Sequence, residues 1–389
     1  MMQGSLYPQG TSPGMNVPRS SGRGQRSLER VDDLDTPTLV IDLGRVERNI
    51  ANMAGLAARH GIALRPHVKS HKVVALARMQ LEAGATGITC QKLSEAEVMA
   101  DAGVTDILIA AQIVGPIKVQ RLADLAMIVK LTTVVDSVEG AQAIGAALKS
   151  RGLELDALVE VDLGFQRCGV APTDVGEFAT RLAAIPGLRF AGVMGYEGQI
   201  YSGAHIGDVA AEAERAYERL DIALVSLARV GVVPRCVSVG ATAAARLASL
   251  HPGITEMRCG SYIFNDLTQV AAGSALLEDC AATVLSTVLS IARRRSAVID
   301  AGAKALSLAQ TPGRPGYGLV LGHEASTIKR LSDEHGIIEV HGGPFRMGER
   351  VHIVPNSHTT LVNEFSEMVG VRDGRVEEVW PVAARGCIQ

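Results

Sequence analysis

From Thr36 onward the chain repeats one alternation: a short run of aliphatic and β-branched residues, then a longer stretch rich in Ala, Leu, Glu and Arg with apolar residues at helical spacing. That rhythm belongs to βα units around a parallel sheet, because parallel neighbours must be joined by a crossover long enough to hold a helix. After an opening strand and helix in TPTLVIDLGRVERNIANMAGLAARHG, the predicted strands are LRPHVK (64–69), GITCQ (87–91), DILIA (106–110), LTTVVD (131–136), LDALVEVDL (155–163), LRFAGVMGY (188–196), RCVSVG (235–240) and EMRCGSY (256–262). Eight strands in about 200 residues favour an α/β fold of the closed (β/α)8, TIM-like kind over 36–268, rather than an open doubly wound sheet. No GxGxxG or GxxxxGK[ST] follows any of these strands, which removes the usual dinucleotide and P-loop readings. From about 270 the helical stretches disappear, and ATVLSTVLSIA, SAVIDAG, RVHIVP and RVEEVWPVAA predict a C-terminal β-domain over 270–389, which residues 36–42 are expected to join.

Composition narrows the partners. The 389 residues are 47% apolar and 20% charged, enough to bury one large core and a smaller one, and the formal net charge of -3 provides no overall basic field for nucleic acid or an anionic membrane. A small-molecule partner is expected. The six cysteines are scattered without a CxxC pair, which predicts reduced thiols and a cytoplasmic setting. No apolar run approaches the roughly 18 residues of a membrane span. Residues 1–30, rich in Gly, Ser, Pro and Arg, are expected to form a disordered leader.

In a barrel of this kind the chemistry gathers at the C-terminal ends of the strands, and the polar clusters fall there: Lys69, Gln91, Asp162 with Arg167, Tyr196 with Glu197, Ser238 to Thr242, and Gly260 to Tyr262. Lys69 follows apolar Leu64 and Val68, so its amine is expected in a partly desolvated mouth, where a lowered pKa suits imine formation with an aldehyde; the plainer alternative is a solvated lysine opening the next helix. VSVGAT, with Gly240 and Thr242, and RCGSY, with Gly260, Ser261 and Tyr262, place free backbone N–H groups and hydroxyls where barrels often hold a phosphate, although tight turns read the same way. Arg167 in the Gly-flanked VDLGFQRCGV can approach a cofactor ring or pair on the surface. Tyr196 can pack on a planar ligand or serve the core.

Taken together, RPHVKSHK, TCQKLSEAEVMADAG, VDLGFQRCGV, RCGSYIFND, DEHG and VWPVAARG resemble the D-threonine aldolase and D-serine dehydratase-like family, one of the alanine-racemase-type (fold type III) pyridoxal-phosphate enzymes. The similarity runs from TPTLVIDLGRVERNI to VWPVAARG. It implies that Lys69, not Lys72, carries pyridoxal 5'-phosphate, that Gln91, Arg167 and Tyr196 surround the ring, and that Thr242, Gly260 and Ser261 hold the phosphate. A homodimer acting on a small D-amino acid is implied too. Metal-dependent members carry a His-x-Asp or His-x-Cys pair shortly after a VP, for a divalent manganese, magnesium or zinc ion. Here VPNSHTTLVN puts Ser357 and Thr359 in those places, and neutral hydroxyls are poor ligands beside imidazole, carboxylate or thiolate. His358 reaches such a role only if the loop shifts by one residue. The expected activity is cleavage of a D-configured β-hydroxy amino acid to glycine and an aldehyde, with His358 or His335 as base. The alternatives are a dehydratase acting on D-serine or 3-hydroxyaspartate, an amino-acid racemase, and a non-catalytic cofactor binder.

Overall fold

The computed structural model describes residues 29–202 and 206–389. Its centre is a ring of parallel strands: β2 (Ala63–Leu64), β3 (Ile88–Cys90), β4 (Asp106–Gln112), β5 (Lys130–Val135), β6 (Leu155–Val161), β7 (Leu188–Gly195), β8 (Cys236–Val239) and β9 (Glu256–Met257). They pair in the order β2-β9-β8-β7-β6-β5-β4-β3. The remaining seam, between β2 and β3, is closed by a parallel bridge from His67 to Thr89 and by N–H groups of Thr86 and Thr89 donating to the carbonyls of Leu64 and Pro66. Helices α2 (Val74–Glu82), α3 (Leu93–Asp101), α4 (Pro116–Leu125), α5 (Val138–Ser150), α6 (Val175–Ala183) and α7 (Val209–Arg229) follow β2 to β7 in turn, with the short α8 (Ala245–Ala248) after β8 and α9 (Leu267–Ala271) after β9. The alternation read from the sequence is therefore a closed (β/α)8 barrel.

Of the strand predicted over 64–69 only Leu64 lies in regular β-structure, as the second residue of the two-residue β2. Arg65 and His67 still donate to Met257 and Cys259 across the β9 side, but Pro66, facing the β3 side, has no N–H to give, so the ladder lapses there. The chain then tightens into a single 3-10 turn at Val68–Ser70. Lys69 is consequently presented on a turn at the barrel mouth rather than at a strand end. Inside the barrel, Leu108, Ala110, Val134, Leu158, Ala191 and Met194 form an apolar plug. On its β2, β8 and β9 side the plug gives way to buried charge: Arg65 binds Asp106 Oδ1 (2.5 Å) and Glu256 Oε2 (2.8 Å), Ser238 donates to Glu256 (2.6 Å), and Arg258 donates to Ser238 Oγ (2.6 Å) and to the Gly195 carbonyl (2.8 Å).

The first strand, β1 (Thr38–Asp42), lies outside the barrel. It sits between β10 (Ala282–Ser290), antiparallel, and β16 (Glu367–Arg372), parallel, in the C-terminal mixed sheet, and then hands the chain to α1 (Leu43–His60), whose N-terminus is capped by Asp42 accepting from the Arg45 amide. The same sheet contains β11 (Ser296–Ile299), β12 (Leu319–Val320), β13 (Thr327–Leu331), β14 (Gly336–Glu339), β15 (Arg350–Val354) and β17 (Arg375–Pro381). Of these, β12, β13, β14 and β16 have no counterpart among the predicted strands. The leader expected over 1–30 lies outside the described residues but for Glu29 and Arg30, and Arg30 forms an antiparallel bridge with Arg375. Among the described residues no helix is long and apolar enough to cross a membrane.

Gly192 shows how tightly the ring is drawn. A Cβ at this position would lie 1.8 Å from the Cys236 carbonyl oxygen, inside the β7–β8 pairing. Gly192→Ala is therefore expected to cost about 3 kcal/mol of stability, read as a lower midpoint in urea at unchanged slope; an unaltered midpoint would contradict the packing described.

Candidate active site

The barrel mouth holds one cavity whose wall includes Lys69, Gln91, Arg167, Tyr196, Gly240, Thr242, Gly260 and Ser261, so eight of the residues singled out in the sequence meet in one place. His67, Ser70, Tyr201 and Arg258 complete its polar lining, and Ala110 and Met194 form its apolar floor. Burial first, then Arg167 and Arg258, push the Lys69 amine down to about 8, against the opposing pull of Glu95. Its Nζ stands 5.9 Å from the centre of the Tyr196 ring. Arg167 lies 5.3 Å from the ring centres of both Tyr196 and Phe165, held from behind by buried Glu160 at 3.7 Å. Lysine and two arginines converge on a mouth that excludes much of the solvent, which favours an anionic ligand.

The neighbouring side chains hold this wall in place. His67 Nε2 and Gln91 Oε1 are 3.1 Å apart, and Gln91 Nε2 donates to the Ala110 carbonyl at 3.0 Å. That amide orientation makes Nε2 the protonated nitrogen of His67. Burial, then Lys69 and Arg258, keep this histidine well below its usual pKa, hence neutral. Glu197, fully buried, accepts from the Gly240 amide and the Tyr217 hydroxyl, both at 3.1 Å, and so fixes the turn after β8. Lys72, the second lysine of the motif, points elsewhere: its ammonium is buried and donates to the carbonyls of Ala384 and Cys387, each at 3.2 Å. Its backbone occupies the left-handed region at φ 59°, a conformation that costs a non-glycine residue on the order of 1 kcal/mol.

Three features fit pyridoxal phosphate. Thr242 Oγ1 is buried without a hydrogen-bond partner and stands ready for an acceptor. Gly260 brings bare backbone to the cavity wall where the chain after β9 packs directly on the lysine turn, and a Cβ there would collide with Ser70 Oγ and the His67 carbonyl. Lys69 supplies an amine that loses its proton near neutral pH. Tyr262 is not part of this wall: it is buried, accepts from Gln80 Nε2 at 2.8 Å, and lines a neighbouring cavity that shares Thr242. His335 sits in the turn between β13 and β14 and does not line the mouth.

In the loop 354–363 the two positions that metal-dependent relatives fill with ligands hold hydroxyls that are turned to each other. Ser357 Oγ and Thr359 Oγ1 are bonded to each other at 2.9 Å. His358 is fully buried, packs edge-on against Phe264, and does not line the cavity. Its Nδ1 is 2.8 Å from Asp266 Oδ2 but out of line for a hydrogen bond. Among the described residues no cluster of three His, Cys, Asp or Glu side chains is gathered. Of the groups the sequence reading missed, His67 and Arg258 stood inside the quoted motifs, while Tyr201 carried no signal.

Comparison with known proteins gives the family. The profile described as alanine racemase, N-terminal domain, matches residues 41–267, and the one described as a putative serine dehydratase domain matches 281–371. The chain belongs to the D-threonine aldolase and D-serine dehydratase-like family of fold type III pyridoxal-phosphate enzymes. It is 34% identical to 3-hydroxy-D-aspartate aldolase of Paracoccus denitrificans over 97% of either chain. It is 36% identical to D-threo-3-hydroxyaspartate dehydratase of Delftia sp., over 83% of this chain and 90% of the relative. The crystal structure of D-threonine aldolase from Filomicrobium marinum superposes with a TM-score of 0.84 at 35% identity, covering 93% of this chain and 99% of that one. As a member of that family the chain is a pyridoxal-phosphate-dependent lyase.

Only the neutral amine attacks an aldehyde, and the Lys69 amine titrates near 8. The rate at which cofactor-stripped protein recaptures pyridoxal phosphate is therefore expected to rise about tenfold per pH unit below that value and to level off above it. A rate still climbing at pH 10 would contradict the desolvated mouth.

Proposed function

We propose that the chain cleaves D-configured β-hydroxy amino acids between Cα and Cβ, giving glycine and an aldehyde. In this reading Lys69 holds pyridoxal phosphate, Thr242, Gly240, Gly260 and Ser261 cradle the phosphate, and Gln91, Arg167 and Tyr196 flank the ring. When bound, that cofactor supplies an electron sink for the charge left on Cα as a bond to it breaks. The chain's own task is to orient the substrate, exclude water and move protons. Lys69, titrating near 8, can hold or release a proton at Nζ under physiological conditions. Neither His358 nor His335 lines the cavity; His67 does, with its Nε2–H donating to Gln91, and its unpartnered Nδ1 is the atom this reading assigns to accept the β-hydroxyl proton.

The observation that favours cleavage over elimination is the Ser357–Thr359 pair. Expulsion of hydroxide from the β-carbon needs strong acid assistance, and a loop whose two hydroxyls bind each other offers no ligand pair for a Lewis acid. Cleavage asks only for a base at the β-hydroxyl. The chain is further read as a cytoplasmic homodimer, supported by its six free thiols and by the family resemblance respectively; sedimentation of the loaded protein at twice the chain mass would bear out the dimer.

Glycine release from D-threonine is expected to survive exhaustive chelation and to vanish in Lys69→Ala. Release that depends on restored manganese or magnesium would contradict the loop geometry. His67→Asn is expected to lower the rate about a hundredfold while the cofactor stays attached at Lys69; an unchanged rate would remove His67 from the mechanism.

A further inference from the structure

The second lysine of the motif and the carboxylate beside it are not used by the reaction as read so far. Glu95 is the third residue of α3, only 1% exposed. One carboxylate oxygen reaches back to accept the Gln91 amide at 2.7 Å; the other has no hydrogen bond and faces the Lys72 ammonium at 3.8 Å. Lys72 is itself anchored on the carbonyls of Ala384 and Cys387, while Ala384 N–H returns a bond to the Lys72 carbonyl. Ser94, next to Glu95, exchanges hydrogen bonds with the backbone of Gln389. The segment 384–389 thus ties together the turn that carries Lys69 and the helix start that carries Gln91 and Glu95.

We propose that Glu95 and Lys72 are positioning residues that set the protonation of Lys69: Lys72 compensates the Glu95 carboxylate, so that Lys69 meets a shared negative charge instead of a bare one. The inference rests on Lys69 being the cofactor lysine. The charged and titratable groups that act on Lys69 are Arg167 from the loop after β6, Tyr196 after β7 with its ring centre 5.9 Å from Nζ, Arg258 after β9 and His67 from its own segment, all lining the same cavity, and Glu95 from α3 behind the wall. Glu95 is the one anion in that set, which explains why an uncompensated carboxylate there would hold the amine protonated and unreactive. Burial pushes the Glu95 carboxyl up, and Gln91, Lys72 and Lys69 work against that push.

The test is the pH dependence of cofactor recapture by the stripped full-length protein, with borohydride reduction and peptide mapping to locate the adduct. Glu95→Gln is expected to move the midpoint down, and Lys72→Met to move it up, each by about one pH unit. The double variant should behave as Glu95→Gln alone, because Lys72 acts through Glu95. A pocket that is merely loosened would slow recapture at every pH and leave the midpoint in place. Single variants that leave the midpoint unmoved or shift it in the same direction, or a Lys72→Met shift that persists without the Glu95 carboxylate, would overturn the proposal. If the unaltered protein shows no adduct at Lys69, the site reading fails and this inference with it; an adduct at Lys69 with unmoved midpoints sinks the inference alone.

Discussion

The seam between β2 and β3 is the constraint on which the rest of the molecule depends. Seven strand-to-strand contacts of the ring are ordinary parallel pairings, but this one must close around a proline. Its closure relies on Thr89, whose N–H and hydroxyl donate to Pro66 and Arg65, and on Arg65, clamped between Asp106 and Glu256 inside the barrel. Removing one partner from such a buried set would strand the others, a penalty usually larger than the bond itself is worth. Because the ladder lapses at Pro66, the chain is free to turn at Val68–Ser70, and that turn aims Lys69 into the mouth. The irregularity and the reactive amine have one origin.

The same charged set links the interior to the site. From Asp106 the contacts pass through Arg65, Glu256 and Ser238 to Arg258, which lines the cavity and helps to push the Lys69 amine and the His67 imidazole below their usual pKa. The mouth is therefore cationic by construction on one side and closed by Tyr196 and Arg167 on the other. An anionic cofactor with an aldehyde meets there a deprotonatable amine, an unpartnered threonine hydroxyl and the bare backbone of Gly260. Those are requirements of the cofactor's two ends, and each is met by a different strand.

Much of this was legible in the sequence. The strand runs at 106–110, 155–163 and 188–196 begin where β4, β6 and β7 begin, because continuous apolar runs mark strands buried on both faces. Lys69, Gln91, Arg167, Tyr196 and Thr242 were marked by their position after strands, which the barrel brings together whatever their separation along the chain. What the sequence could not display is direction. Tyr262 follows Ser261 yet faces Gln80 and another cavity, and His358 turns into the core against Asp266 and Phe264. The strands missed in the C-terminal sheet are short or carry charged residues, as in TIKRL of β13, so their alternation is broken.

The aldolase reaction is defined by which bond of the substrate breaks. Its most direct test is to incubate the loaded, chelator-treated protein with D-threonine in deuterated water and to identify every product. Cleavage between Cα and Cβ gives glycine carrying one deuterium at Cα and acetaldehyde in equal amount, with no ammonia. Ammonia with 2-oxobutanoate would mean elimination, and recovered threonine that has gained deuterium at Cα without glycine would mean proton exchange alone; either result would contradict the reading of this site as an aldolase.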